Sequence, residues 1–173
     1  MDHEALLADW ETRIERWGFT NIAVVGDPGP EYAYTAGLFH LGHPEFVIVG
    51  APRQLAHDLL WDLGSAVVRS GFRFESGTTV NRLAANPMGI VAATDRPDDL
   101  VAVADRLRTR AGLNGPSSVL QVFFANREDV LPWGQNEDHL GFPIFNRHGA
   151  KAARSVDLPD RETRDADGWY PDS

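Results

Sequence analysis

Polar side chains of chemical interest are densest in one short loop. His40, His43 and Glu45 fall within six positions, in a Gly- and Pro-containing stretch between two apolar runs, and Tyr34 and Thr35 stand on the run before it. Two imidazoles three apart with a carboxylate nearby make a candidate ligand set for zinc or iron, leaving coordination positions open for a substrate. A histidine beside a carboxylate is also the arrangement of an oriented general base, with Thr35 or Tyr34 as the group it activates. Strand geometry limits that second reading. Neighbouring strand residues point to opposite faces, so Tyr34 and Thr35 share one pocket only if the strand bulges. A third reading needs no ligand: His43 and Glu45 satisfy backbone groups of the loop, and Pro44 sets the approach to the next strand.

Other places invite attention. Gln121 sits among Val119, Leu120, Val122, Phe123 and Phe124, where a buried amide must find partners, either a ligand or neighbouring backbone. Trp133, after Pro132, is a candidate wall or lid over a pocket, or a ring that pins its loop to the core. Gly50-Ala51-Pro52-Arg53 leads from an apolar run into a helix start, whose free N–H groups favour anions. A flavin site of the split-barrel kind is compatible with that order by analogy of fold alone. His57 falls off the apolar face of its helix and is expected at the surface, whereas no spacing argument places His139 or His148.

Composition removes whole classes. The chain of 173 residues contains no cysteine, so disulfides, thiolate metal sites and cysteine nucleophiles are absent. Sixteen Lys and Arg stand against 25 Asp and Glu, a net charge of −9, which disfavours a generic phosphate-backbone binder. Neither a Gly-x-Gly-x-x-Gly nor a Gly-x-x-x-x-Gly-Lys pattern occurs, which removes the standard dinucleotide and P-loop readings. The acidic N-terminus and the lack of any long apolar run lead to the expectation of a cytoplasmic protein that binds neither membrane nor nucleic acid.

The elements that must hold these residues follow from periodicity. Leu7, Trp10, Ile14 and Trp17 recur at helical spacing and Gly18 ends the segment. Residues 19–25 and 32–38 form an expected hairpin about a Gly/Pro turn, and Phe46-Val47-Ile48-Val49 is a strand covered on both faces. Pro52, in a first turn, opens a helix whose face carries Leu55, Leu59, Leu63, Ala66 and Val67, closed by Gly71. Short strands are expected at 72–74, 79–83 and 88–93. A third helix capped by Asp95 or Asp98 carries Leu100, Val103, Ala104 and Leu107, and residues 118–125 form the last strand. The prediction is an α+β fold: a single domain over 1–148, with a mixed, mostly antiparallel sheet and about three helices. Residues 149–173 are expected to form an irregular or mobile tail, in which only Val156, Leu158, Trp169 and Tyr170 offer anchors.

Tyr34-Thr35-Ala36-Gly37-Leu38 followed by Gly42-His43-Pro44-Glu45 resembles a bacterial family catalogued as domain of unknown function 4262. Gly71 with the 72–77 segment, Gln121 and Pro132-Trp133 fit the same layout. The resemblance covers residues 16 to 135 and implies a compact single bacterial domain, with no activity or cofactor attached. The function expected from the sequence is a non-catalytic protein-interaction or regulatory module. The alternative is an enzyme that binds a small molecule, metal or flavin around Tyr34, Thr35, His43 and Glu45, with Gln121 and Trp133 contributing.

Overall fold

A computed structural model describes residues 2–26, 29–126, 128, 130–133, 138–146 and 148–168. Trp169 and Tyr170 lie outside the described residues. Helix α1 (His3–Trp17) leads into the hairpin β1 (Thr20–Val24) and β2 (Tyr32–Ala36), then a single 3-10 turn (Leu38–Leu41) and strand β3 (Glu45–Val49). Helix α2 (Arg53–Ser70) follows, then β4 (Thr78–Asn81), β5 (Met88–Ala92), α3 (Ala102–Arg110) and β6 (Val119–Phe124). The chain closes with β7 (Asp138–His139), β8 (Phe142–Pro143), β9 (Arg154–Asp157) and α4 (Arg161–Ala166).

Seven strands form one open sheet in the order β1-β2-β3-β6-β5-β4-β9. The pairs β3–β6 and β4–β9 are parallel and the other four antiparallel. The protein is therefore an α+β single domain, as its sequence predicts.

Alternation along the strands divides the core into two faces. Phe46, Ile48, Ile90, Leu120 and Val122 face α2, which buries Leu59, Leu60 and Leu63 against them. Tyr34, Ala36, Val47 and Val119 face α1 and α3, which contribute Leu7, Ile14, Ala104 and Leu107. Farther along that second face, Val91 and Phe123 are covered by Ile144, Ala150 and the half-buried Trp133.

Three expectations are corrected. The C-terminal stretch is not wholly irregular: it adds a strand and a fourth α-helix among the described residues. Arg154–Asp157 add to β4 as a parallel edge strand, Leu158 is fully buried, and Arg164 of α4 reaches Asp62 of α2 at 2.7 Å, with both side chains more than nine-tenths buried. Val156 and Leu158, the anchors the sequence offers, and a buried ion pair invisible to periodicity hold this segment down. Residues 72–74 form coil instead of a strand, because the Phe74 N–H goes to the His43 ring and not to a neighbouring strand. Helix α3 starts at Ala102, later than either proposed cap. Arg96 binds the carbonyls of Pro97 and Asp98, and Leu100 and Ala102 close tight turns before the helix begins.

Candidate functional site

Thr35 and Glu45 meet at the ends of neighbouring strands. The Thr35 hydroxyl donates to Glu45 Oε2 at 2.6 Å and accepts the Phe46 N–H at 2.9 Å. Glu45 Oε1 accepts the N–H groups of Gly37 and Phe39 at 3.0 and 3.2 Å. Glu45 thus caps the 3-10 turn from a strand eight residues away, supplying an acceptor for donors that a turn leaves orphaned. The turn can begin there because Gly37 adopts φ +119, with Phe19 and Ile14 packed against its α-carbon. Burial drives the Glu45 carboxyl up to about 7, against the opposing pull of the Thr35 hydroxyl and the turn N–H groups.

His43 is equally engaged. Its Nδ1 lies 2.6 Å from the Pro44 carbonyl, which fixes the proton there, and Nε2 accepts the Phe74 N–H at 3.1 Å. Its ring packs between Phe46 and Phe74, and burial holds it below the usual imidazole range. Tyr34 points to the opposite face, where its hydroxyl accepts the Val103 N–H at 3.3 Å and burial raises the phenol far above its ordinary range. His40 is exposed and lies against Phe39. The structure therefore brings Thr35 and Glu45 together and leaves His40, His43 and Glu45 spread over three environments. Among the described residues no cluster of three metal-ligating side chains occurs.

Gln121 and Trp133 also have partners within the fold. The Gln121 amide donates to the Pro143 carbonyl at 2.7 Å and accepts the Phe145 N–H at 2.9 Å, acting as a surrogate strand that pins residues 143–145 across the sheet. Trp133 packs over Gly89 of β5 and bridges to Ala150.

A predominantly apolar cavity lies elsewhere, at the carboxyl ends of the parallel pair β3 and β6. After β3 the chain turns into α2 on one face; after β6 it leaves for β7 and β8 on the other. Diverging connections after adjacent parallel strands open a crevice, the position at which open α/β sheets bind ligands. Here it holds about 250 Å³ between Val49, Leu55 and Phe124 on one side and His139, Leu140 and Phe142 on the other. Its floor includes Gln121, and His139 Nε2 is 2.8 Å from the Phe124 carbonyl. Gly50 decides how tightly it closes. At φ +77 it lies directly beneath the Phe142 ring, which occupies the space a β-carbon would need. Leu55 and Leu140 stand on the rim, 41% and 48% exposed.

Of this crevice the sequence singled out Gln121 and the Gly50–Arg53 turn. Leu55 looks in sequence like a core-facing position, no spacing argument places His139, and Phe142 and Leu140 carry no signal, because their place depends on β7 and β8 folding back over a distant strand.

These features define an open-sheet α+β domain with a crevice where its connections diverge. The chain belongs to the family described as Domain of unknown function (DUF4262), whose model matches residues 13–138. No curated protein and no solved structure matches it.

Proposed function

We propose that this protein is a non-catalytic binding module that senses a small, predominantly apolar molecule in the crevice between α2 and the β7–β8 hairpin. The observation that carries this reading is an open apolar cavity of about 250 Å³ at the diverging ends of β3 and β6, rimmed by exposed leucines. Its size lies just below the ~300–1,000 Å³ of sites for drug-sized ligands, so it suits a single ring or a short branched chain and is too small for a flavin. The polar side chains at its wall, Gln121 and His139, are bonded to backbone carbonyls, which favours binding over proton transfer. The buried groups around Glu45 support the same reading, since each serves a backbone partner. A bound ligand would rigidify the approach of β7 and β8, and occupancy at 100 times Kd would add about 2.7 kcal/mol of stability.

The test uses benzene, isobutylbenzene and indole as probes, followed by methyl NMR of the full chain. Saturable shifts confined to Val49, Leu55, Val122 and Leu140 are expected, lost at least tenfold in Leu55→Asp at unchanged melting temperature. Absence of saturation up to the solubility of all three probes, or shifts elsewhere, overturns the reading.

A further inference from the structure

The two edges of the sheet are not alike. At one end β9 carries Arg154 and Asp157, the charged and short form of edge that resists pairing with foreign strands. At the other end β1 pairs with β2 alone, and from Thr20 to Val25 it has no charge and no proline. Val25, just beyond it, is 68% exposed. Neither a charge nor a proline protects this edge; only at its start does the Asn21 side-chain amide donate to the His57 carbonyl of α2, at 3.0 Å, which leaves the stretch toward Val25 for another chain.

A trough runs beside that edge. Helix α1 reaches it from one face of the sheet and α2 from the other, so that Trp17 and Trp61 meet edge to face at 6.0 Å around the start of β1. The space between the helices is about 550 Å³, bordered by the first residues of β1, by Arg13 and Arg16 of α1, and by His57 of α2. Arg16 lies over the Trp17 ring at 4.7 Å, and among the described residues no carboxylate pairs with it. Arg13 bonds Asp9 at 2.9 Å on the exposed helix surface, a pair that a competing carboxylate can exchange at little cost. Asp58 is the acidic group on the trough and sits 3.5 Å from the His57 ring. On a chain with a net charge of −9 the trough sets one guanidinium, Arg16, free of a carboxylate among the described residues, beside two tryptophan rings, and tryptophan with arginine is the composition of binding hot spots.

We propose that β1 is a docking strand: an extended acidic segment of a partner protein, carrying an aromatic or large aliphatic side chain, adds to its free edge along the trough between α1 and α2. Main-chain hydrogen bonds to β1 supply affinity, as in other strand additions. One side chain of the segment packs against Trp17 and Trp61, and its carboxylates meet Arg13 and Arg16. A second copy of this chain is the less favoured occupant, because each copy brings the same large negative charge.

The test pans a displayed library of random twelve-residue peptides against the full chain and follows the enriched peptides by amide exchange. Enriched sequences are expected to combine Asp or Glu with Trp, Phe or a branched aliphatic residue. They should slow exchange of amides within residues 20–25 at least tenfold. They should lose at least tenfold in affinity for Arg16→Glu while binding Leu55→Asp normally, which separates this surface from the crevice. No enrichment, enriched peptides without acidic residues, or binding that leaves residues 20–25 unprotected overturns the proposal. So does a concentration-dependent dimer that protects those amides without peptide, and so does indole-3-acetate binding as tightly as the peptides with no amide protected.

Discussion

The loop around Glu45 and the crevice beside Gly50 lie at opposite ends of the same strand, β3, and divide polarity and purpose in opposite ways. At the amino end, Thr35, His43 and Glu45 form a buried polar group whose hydrogen bonds go to backbone or to one another. At the carboxyl end an apolar hollow stays open, with its leucines in solvent. Residue types that signal chemistry can be consumed by a turn that needs capping. Plain aliphatic and aromatic residues become a site when the chain leaves two parallel strands in different directions.

Removing the polar end should have the largest effect on stability and the least on binding. Glu45→Ala strips the acceptor from two turn N–H groups and the Thr35 hydroxyl inside the core, at a cost of about 3–5 kcal/mol read by denaturant unfolding. The folded fraction should still bind the small apolar probes with unchanged Kd. Loss of crevice binding in that fraction would mean the two ends are coupled through β3.

Acidity sharpens the contrast next. Glu45 has a higher affinity for its proton when folded, at about 7 against 4.5, so its contribution is complete below 4.5 and disappears as pH rises through 7. Such a shift corresponds to a loss on the order of 3 kcal/mol between those limits. His43, held below 6.5, has the reverse sign: its contribution is present above 6.5 and falls away as the medium becomes more acid. Glu45→Gln, which mimics the protonated acid, should flatten the alkaline limb of a melting-temperature profile and leave the acid limb. An unchanged alkaline limb would show that Glu45 does not titrate there.

Smaller effects belong to the crevice end. Gly50→Ala must adopt a positive φ and displace the Phe142 ring, costing about 1–2 kcal/mol and changing probe affinity as β8 shifts outward. Equal probe binding by this variant would show that Phe142 does not shape the cavity. Leu55→Asp, on an exposed rim, should change unfolding free energy by less than about 0.5 kcal/mol while weakening the probes at least tenfold. A large drop in stability there would make Leu55 a core residue and end the contrast.

Much of the fold was legible from periodicity. The apolar spacing of α1 and α2, the hairpin of β1 and β2, and the covered strands β3 and β6 all stand where local pattern puts them. The pattern failed where a long-range contact outweighed it. Residues 72–74 look like a strand until His43 takes the Phe74 N–H, and residues 154–166 look irregular until β4 offers an edge and Asp62 a charge. The cluster from Tyr34 to Glu45 was conspicuous in sequence, yet residue type alone could not tell a ligand set from a cap.

What the sequence by itself determined was the class of fold, the two-faced burial of the sheet and the removal of cysteine chemistry, because helix and strand periods and composition are local properties. Only tertiary structure decided that β3 and β6 lie parallel and adjacent, that their connections part to opposite faces, and that Phe142 covers Gly50. Those are contacts between residues 70 or more positions apart. Their energy comes from burying apolar surface jointly, so no single segment carries the signal of where the hollow will be left.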